Sequence, residues 1–513
     1  MGLSRVICRA QWGLAAPEVA VEVHLGAGLP CFNIVGLPAT EVKESRDRVR
    51  AALTTSGFEI PAGRITVNLA PADLPKDGGR FDLAIALGIL AASSQLSCAM
   101  AFETTEFLGE LGLDGTLRSV RGALPAIVAA RRARRSIIVP EVDRQALSGW
   151  PDIDAQGARS LLEVCARLEG REDDQTPTRL EASSIDARPA PMSAVASLDD
   201  VRGQPLGKLA LEVAAAGGHS LLMVGPPGCG KSLLAARLPG LLPPMTADES
   251  LEVAMIASVC SPSRAAAPGL ARQRPFRTPH HTASAHALIG GGAAAQPGEI
   301  TLAHRGVLFL DELPEFDRRV LEALREPLET GRVTVVRVGA QADYPAQFQL
   351  VAAMNPCPCG HQGVRGGRCR CRPAELARYR TRLSGPLLDR LDVRVTLEAV
   401  GEADRAAAIT TIPEAARHEA VCARIAKAHR RQRSRQGHLN AQLEAGQLDA
   451  LPRSAAAQGS IVRARRSLGM SLRAEHRWLR VALTVADLEA ADCLEERHLA
   501  MALSLRRTYA ETG

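Results

Sequence analysis

Aromatic residues are scarce in this 513-residue chain: they make up 3% of it, while hydrophobic residues make up 46% and charged residues 23%. The apolar and charged fractions are those of an ordinary globular protein. So few rings argue against a surface that binds nucleic acid by stacking bases on aromatic side chains. A net charge of +6 is compatible with a polyanionic partner bound through arginine and backbone groups, and equally with a solvated arginine-rich surface.

Long apolar runs are also missing, as is an N-terminal segment in which basic residues precede apolar ones. Because a membrane-spanning helix needs about 20 apolar residues, the sequence predicts neither membrane insertion nor export, and the cytoplasm is the expected location. The twelve cysteines are then expected to be reduced thiols or metal ligands rather than disulfides.

Lysine is rare among the 62 basic residues, but one lysine stands in a phosphate-binding pattern. Residues 225–232 read GPPGCGKS, which matches G-x-x-x-x-G-K-[ST], and they lie between an apolar strand-like run and a helical run. In that setting backbone N–H groups surround phosphate oxygens, Lys231 reaches the β- and γ-phosphates, and Ser232 can bind Mg²⁺. The predicted ligands are ATP and Mg²⁺, and the predicted loop residues are Gly225, Pro226, Pro227, Gly228, Cys229, Gly230, Lys231 and Ser232.

The fold class expected is multidomain α/β. Residues 171–197 have no apolar period and contain three prolines, which predicts a linker. Before it, residues 1–170 alternate strand-like and helical segments, as an α/β domain does. Residues 198–400 predict a parallel nucleotide-binding sheet, and the Arg/Ala/Leu-rich periodicity of residues 401–513 predicts a helical domain. The clearest N-terminal segments are strands at 18–25, 64–69 and 136–139 and helices at 41–56 and 81–92.

Two further apolar segments of the central part end in polar residues. The run before Asp311 and Glu312 predicts a buried strand that delivers both carboxylates to the sheet edge, where Asp311 would hold Mg²⁺ and Glu312 would polarise a water. Another run ends at Asn355, where a γ-phosphate sensor would lie, although Asn-Pro alone is more often a turn. The strands expected in this sheet are 220–224, 306–310 and 347–353.

The chain resembles the ComM/YifB family of magnesium-chelatase-like AAA+ ATPases over nearly its whole length. The segments that carry the resemblance are GPPGCGKS, PFRTPHHTASAHALIGGG (275–292), PGEITLAHRGVLFLDELPEF (297–316), MNPCPCG (354–360), SGPLLDRLD (384–392), GLPCFNIVGLP (28–38) and RITVNLAPADLPKDGGRFDLAIALGILAA (64–92). The resemblance implies a central AAA+ P-loop domain and a C-terminal helical lid. It also implies an ATP-driven ring that acts on single-stranded or branched DNA, with branch migration during natural transformation as its role.

Two arginines receive roles from this resemblance alone. Arg390 of the LLDRLD motif resembles the arginine finger that reaches a neighbouring subunit's γ-phosphate, and Arg473 resembles the second sensor on the lid. Both imply a ring, most simply a homo-hexamer, because a finger that acts in trans has no partner in a monomer. Without the resemblance, each arginine would be read as part of a surface salt bridge.

A hairpin is expected at residues 331–341, because the segment alternates in character and contains Gly339. Related helicases carry a pore-facing hairpin here, so the resemblance implies that Arg337 near its tip contacts the DNA backbone, with Arg332 as the second candidate. Residues 275–292 would form another pore element. Its two adjacent histidines, His280 and His281, should point apart on a helix or strand, which favours hydrogen bonding or pore lining over metal binding.

Four cysteines form two C-x-C pairs in a segment rich in Gly and Arg. With few apolar residues to fold around, this segment could be ordered by a structural Zn²⁺, although C-x-C is tighter than the usual C-x-x-C and reduced thiols in a loop are the alternative. The candidate ligands are Cys357, Cys359, Cys369 and Cys371.

The N-terminal segment KDGGRFD (76–82) resembles the proteolytic domain of Lon proteases, which has a ribosomal-S5-domain-2-like fold. Where Lon has its serine and lysine, this chain has Arg80 and Leu124, so we predict a non-catalytic domain. A protease is therefore disfavoured. An ATPase subunit of a magnesium-chelatase-like metal-insertion complex remains the alternative to the DNA motor, although such subunits lack this N-terminal domain.

Overall fold

The computed structural model describes residues 2–36, 40–97, 99–145, 147, 150, 155–171, 197–260, 273–292, 295–337, 340–363, 369–399 and 414–506. Within these ranges the two largest sheets are a seven-stranded one in the N-terminal part and a five-stranded one in the central part. The expected linker, residues 171–197, lies almost entirely outside them. No helix within these ranges is long and apolar enough to cross a membrane.

A mixed sheet of order β3-β4-β2-β1-β5-β8-β9 forms the N-terminal part, with β1–β2 and β2–β4 antiparallel and the other pairs parallel. The strands are β1 (Gly2–Arg9), β2 (Glu18–Gly26), β3 (Cys31–Val35), β4 (Arg64–Ala70), β5 (Thr105–Phe107), β6 (Glu110–Leu111), β7 (Leu117–Arg118), β8 (Ser136–Pro140) and β9 (Gln156–Ala158). The helices are α1 (Thr40–Thr55), α2 (Asp82–Ala92), α3 (Ala99–Thr104), α4 (Ala123–Arg132), α5 (Glu141–Gln145) and α6 (Leu161–Leu168).

Helix α2 forms the centre of this part. Its sequence, DLAIALGILAA, is apolar all round, and nearly every side chain is buried, as expected for a helix enclosed by its neighbours. Gly88 allows the close approach to the sheet, because a Cβ there would lie 2.6 Å from the Val23 Cγ2 atom. The five elements predicted in this part all occur, with ends that differ by at most one residue.

The central sheet is parallel throughout and has the order β11-β14-β17-β10-β18. The strands of the central part are β10 (Leu221–Val224), β11 (Phe276–Arg277), β12 (Gly290–Gly291), β13 (Gln296–Pro297), β14 (Val307–Leu310), β15 (Arg332–Arg337), β16 (Ala340–Pro345), β17 (Gln349–Met354) and β18 (Val393–Thr396). Its helices are α7 (Pro205–Gly217), α8 (Lys231–Ala235), α9 (Leu238–Leu241), α10 (Ala247–Cys260), α11 (Ala285–Ile289), α12 (Glu299–Leu302), α13 (Arg318–Ala323), α14 (Arg325–Thr330), α15 (Pro373–Thr381) and α16 (Gly385–Leu388).

Strands β10, β14 and β17 are buried along their whole length, as strands covered on both faces of a parallel sheet must be. They correspond to the three predicted strands, whereas the edge strands β11 and β18 were not anticipated. The predicted hairpin is β15 and β16, an antiparallel pair that runs from Arg332 opposite Pro345 at its base to Arg337 opposite Ala340 near its tip.

The described residues after β18 form helices and no strand, as the sequence predicts for this part. Helix α17 packs on α7 and closes its C-terminal end: His429 Nε2 lies 2.8 Å from the Ala215 carbonyl oxygen, and Gln432 Nε2 donates to the Ala216 carbonyl at 3.0 Å. These bonds satisfy carbonyl groups that a helix end leaves without partners. The helices are α17 (Glu414–Gln436), α18 (Ala445–Asp449), α19 (Ala455–Leu468), α20 (Leu472–Leu488) and α21 (Glu496–Ser504).

Among the described residues, the N-terminal part contacts the central part at the hairpin and at helix α10. The Trp12 indole Nε1–H donates to the Gln341 carbonyl at 3.0 Å, which joins the turn after β1 to the β15–β16 hairpin. The Gly122 backbone N–H, just before α4, donates to the Ser258 carbonyl of α10 at 3.0 Å. The hairpin is therefore bonded to the N-terminal part near its tip, because Gln341 pairs with Val336.

Candidate nucleotide-binding site

The loop 225–232 follows β10 and leads directly into α8, which begins at Lys231. Gly228 and Gly230 have φ angles of +74° and +95°, in the left-handed region that favours glycine. A Cβ built on either glycine would meet no atom of the described residues within 4 Å. The backbone is therefore open to an approaching group at both glycines, as a loop that binds a phosphate requires.

Lys231 extends back into this loop. Its Nζ donates to the Gly225 and Pro226 carbonyls at 2.7 and 2.9 Å and to Asn355 Oδ1 at 3.0 Å. Burial lowers the pKa of this ammonium group, and the nearby Asp311 carboxylate opposes that effect. The loop thus contains a cation with neutral oxygen partners, which a phosphate could exchange for stronger charge-assisted bonds.

Ser232 and Asp311 meet on the other side of the loop. The Ser232 Oγ–H donates to Asp311 Oδ2 at 2.6 Å, and Asp311 Oδ1 accepts the Glu312 backbone N–H at 2.9 Å. A hydroxyl and a carboxylate are the oxygen donors that Mg²⁺ prefers, and both lie beside the phosphate loop. The residues present therefore fit a magnesium ion bound together with a nucleotide.

Strand register explains this convergence. Val224 pairs with Met354, and Leu310 pairs with Ala352, so β10, β17 and β14 end at nearly the same level. The residues that follow these ends are Gly225, Asn355 and Asp311. Neighbouring parallel strands thus bring the start of the phosphate loop and two polar side chains, remote in the sequence, to one edge of the sheet.

Glu312 has a partner that the sequence did not indicate. Its Oε2 lies 3.2 Å from His281 Nδ1, and its φ of +52° is unusual for a residue other than glycine. The expectation that the two histidines point apart is wrong: the His280 and His281 rings lie 4.2 Å apart, because this stretch is a turn rather than a helix or strand. Both histidines lie near polar partners, since His280 Nδ1 also lies 2.9 Å from Thr282 Oγ1.

Arg390 lies at the opposite edge of the sheet. Its carbonyl accepts from Ser220 Oγ at 2.7 Å, and Ser220 directly precedes β10, whereas the phosphate loop follows β10. The guanidinium group is paired with Glu329 and donates to the Pro386 carbonyl at 2.7 Å. Arg390 is therefore remote from the phosphate loop of its own chain.

Arg473 is exposed in the first turn of α20, which is capped by Ser471. On the hairpin, Arg332 is exposed near the base, and Val336 is 74% exposed. Arg337 ends β15, but its side chain is outside the described part of the structure.

A buried network around Asp392 links the central sheet to α20 and was not anticipated. Asp392 Oδ2 lies 3.2 Å from His219 Nδ1, and Oδ1 accepts from Arg477 Nη1 at 3.3 Å. His219 Nε2 in turn lies 2.7 Å from Thr484 Oγ1 of α20. Burial raises the pKa of Asp392, but the His219 hydrogen bond and the Arg477 and Arg506 charges outweigh this and hold it below the usual value.

Four thiols come together in the segment after Asn355. We name Cys357, Cys359, Cys369 and Cys371 the four-cysteine cluster; their sulfur atoms all lie within 4.8 Å of one another. The pairs that involve the first three are 3.4, 3.8 and 3.6 Å apart. Tetrahedral thiolate ligands at about 2.3 Å from a zinc ion would be about 3.8 Å apart, so the donor set fits Zn²⁺.

Neither of the two positions that the resemblance to Lon proteases singled out carries a nucleophile. Arg80 and Leu124 are both buried, and Arg80 donates to Gln11 Oε1 at 2.8 Å. The Cys8 thiol lies 3.6 Å from the Arg80 carbonyl oxygen, and burial raises its pKa to about 12. That thiol therefore stays protonated at neutral pH and is a poor nucleophile.

Three family models match the chain. "Magnesium chelatase, subunit ChlI" matches residues 197–405, "Subunit ChlI of Mg-chelatase" matches residues 21–143, and "Magnesium chelatase, subunit ChlI C-terminal" matches residues 416–506. YifB of Salmonella typhimurium is 47% identical over 99% of this chain and 97% of its own length. Competence protein ComM of Haemophilus influenzae is 45% identical over 99% of this chain and 98% of its own. By contrast, the magnesium-chelatase subunit ChlI of Chlorella vulgaris is 37% identical over 14% of this chain and 20% of its own.

Proposed function

The chain belongs to the ComM/YifB family of magnesium-chelatase-like AAA+ ATPases, and from this premise we propose that it is a ring-shaped motor that hydrolyses ATP and moves DNA strands. Its role would be branch migration of recombination intermediates during natural transformation. Similarity to a competence protein over nearly the whole of both chains supports this role.

The observation that carries the ATPase proposal is the meeting of three strand ends at one open phosphate loop. Lys231 bonds to Asn355 across the end of β17, and Ser232 bonds to Asp311 across the end of β14. An ATP-hydrolysing site explains why these four polar residues share one edge of a buried parallel sheet, and this holds both for the DNA motor and for the metal-insertion ATPase considered below.

In this site Lys231 would bind the β- and γ-phosphates, and the Asn355 amide would contact the γ-phosphate. A Mg²⁺ ion held by Ser232 and Asp311 would neutralise charge on the phosphate oxygens. Glu312 is half-exposed at the mouth of the site, where its carboxylate can orient a water and accept its proton as that water attacks phosphorus.

Arg390 would complete the site of the next subunit, since it faces away from its own loop. Arg473, exposed at the start of α20, would act as the second sensor. These roles require a closed ring, and we propose a homo-hexamer. A chain that stays monomeric by light scattering in the presence of ATP and DNA would contradict the assignment of Arg390.

The β15–β16 hairpin would contact DNA, with Arg337 near its tip and Arg332 near its base. Phosphate contacts by arginine should give binding that weakens steeply with salt and depends little on sequence. Residues 275–292 would line the same pore, and through His281 they reach Glu312.

We propose that the four-cysteine cluster binds one structural Zn²⁺ per chain, because four thiolates at these separations are a complete tetrahedral donor set. Unoxidised cysteines of this kind suit a reducing compartment, so we propose that the protein acts in the cytoplasm.

The decisive experiment measures ATP hydrolysis with and without DNA, and then strand exchange on a synthetic three- or four-way junction. We expect DNA to stimulate the ATPase. Glu312→Gln should abolish turnover while nucleotide binding persists, and Arg337→Ala should weaken DNA binding. Arg50→Ala, which removes an exposed arginine of α1, is the matched control and should leave both unchanged.

The alternative is an ATPase subunit of a metal-insertion complex, which the names of the matching family models favour. The magnesium-chelatase subunit ChlI of Chlorella vulgaris matches only a short stretch of this chain, whereas ComM matches the chain along nearly its whole length. If DNA neither binds at low salt nor stimulates ATP turnover, the metal-insertion function should be preferred.

A further inference from the structure

The four-cysteine cluster lies directly beside the proposed γ-phosphate sensor. Cys357 follows Asn355 by two positions, and its side chain is fully buried. The Gln362 backbone N–H donates to Cys357 Sγ at 3.3 Å, and the Gly360 N–H donates to the Cys357 carbonyl at 2.9 Å. The chain therefore folds tightly around this sulfur immediately after it leaves the nucleotide site.

A second connection comes back from the far end of the cluster. Helix α15 begins at Pro373, two positions after Cys371. From this helix the buried Tyr379 donates its Oη–H to the Asn355 carbonyl at 3.2 Å. Asn355 is thus held from both sides, by the chain that leads to Cys357 and by the helix that follows Cys371.

A third connection reaches the phosphate loop itself. Gly360 has a φ of +78°, and a Cβ built on it would lie 2.6 Å from Pro227 Cδ. The turn inside the cluster is therefore packed against the loop that would bind the phosphates. A change in the shape of this turn must move Pro227 or open a gap beside it.

We propose that a zinc ion in the four-cysteine cluster is a positioning element of the ATPase site: it fixes Asn355 against Lys231 and supports Pro227. The proposal rests on the ATPase function stated above. Residues 361–368, HQGVRGGR, have a single apolar side chain in their sequence, so the cross-link through the metal, rather than a core, would hold this segment in shape.

The test uses the full-length protein and three measurements: zinc per chain by mass spectrometry, affinity for a fluorescent ATP analogue, and steady-state ATPase rates. We expect one zinc per chain in the natural sequence. Cys369→Ser removes the most exposed ligand, and it should lose zinc and lower kcat by about 10- to 100-fold, as expected when a reacting group is misplaced. Its KM should change much less.

Two variants separate positioning from simple loss of fold. Cys369→His keeps four donors, so it should retain zinc and most of kcat. Tyr379→Phe removes only the hydroxyl group that bonds to Asn355, so it should keep zinc and still lower kcat. The control Cys31→Ser changes a half-buried cysteine of the N-terminal sheet and should change none of the three readouts.

Zinc-free natural protein with normal ATPase activity would overturn this inference and leave the ATPase proposal intact. A zinc-free Cys369→Ser protein with unchanged kcat would also overturn it. Zinc-loaded protein that binds no ATP analogue would instead refute the proposed ATPase. If Cys369→Ser does not fold, Tyr379→Phe decides: unchanged kcat with zinc retained would contradict the positioning role.

Discussion

Arg390 should act on the nucleotide bound by a neighbouring subunit and not on its own. Its backbone lies beside Ser220, and the extended chain from Ser220 to Gly225 covers about 16 Å at about 3.3 Å per residue. An arginine side chain built from bonds of about 1.5 Å extends only about 7 Å from its Cα. The guanidinium also points elsewhere, to Glu329 and the Pro386 carbonyl.

Mixing two inactive variants tests this geometry. Lys231→Met destroys the phosphate site of its own chain, and Arg390→Ala removes the finger offered to a neighbour. Each alone should lower kcat by about 10³-fold or more, equivalent to about 4 kcal/mol of transition-state stabilisation. In an equal mixture, about one quarter of the interfaces in a ring combine an intact loop with an intact finger, so about a quarter of the activity should return.

The assay is the ATPase rate after the two variants are mixed as dissociated subunits and allowed to reassemble with DNA. Lys231→Met mixed with Glu312→Gln is the control: both changes affect the same half of the site, so this mixture should stay inactive. If the first mixture recovers no more activity than the separate variants, Arg390 does not act in trans and the reasoning fails.

Three further predictions concern stability and coupling. Glu106 and Arg9 form a buried bidentate ion pair with both contacts at 2.6 Å. Glu106→Gln breaks this pair and should lower the free energy of unfolding, measured by urea titration, by about 3–5 kcal/mol. A loss below about 1 kcal/mol would contradict this prediction. Asp392→Asn should destabilise the protein by about 3 kcal/mol at pH 7. Because the folded pKa of Asp392 is depressed, that difference should shrink as pH falls below 3.8, and a difference independent of pH would refute the assignment. Trp12→Phe removes the hydrogen bond to the Gln341 carbonyl and should lower the free energy of unfolding by about 1 kcal/mol. Trp12→Ala also removes the ring that lies against the hairpin, so it should in addition reduce the stimulation of the ATPase by DNA. Equal effects of the two changes would show that the ring does not support the hairpin.

The nucleotide site was accessible from the sequence because its residues lie at the ends of buried strands. An apolar run followed by Asp311 or Asn355 can be recognised in the sequence as a buried strand that ends in a polar residue, and parallel strands end at a common edge. The order of the strands was not accessible: β17 lies between β10 and β14, although it follows both in the chain. Strand order depends on contacts between remote segments. The sequence of each buried strand is simply apolar and does not indicate which strands are its neighbours.

Polar contacts between remote segments were also missed, for a related reason. His281 and Glu312 lie in separate loops, and Asp392 meets Arg477 across the boundary between sheet and C-terminal helices. Nothing in the spacing of single side chains indicates such pairs. The arrangement of His280 and His281 differs from the expected one for another reason: adjacent side chains point apart only on a regular helix or strand, and this segment is a turn.

These contacts bear on how hydrolysis would be coupled to DNA. The segment that carries His281 touches the carboxylate proposed to activate water, and the hairpin proposed to contact DNA is bonded to Trp12 of the N-terminal part. If DNA displaces the segment that carries His281, the contact with the proposed catalytic carboxylate must change; if it displaces the hairpin, the contact with Trp12 must change. Both contacts lie at the surface, so they can form and break without any rearrangement of the core, and the His281–Glu312 contact would then link DNA binding to the proposed ATPase site in both directions.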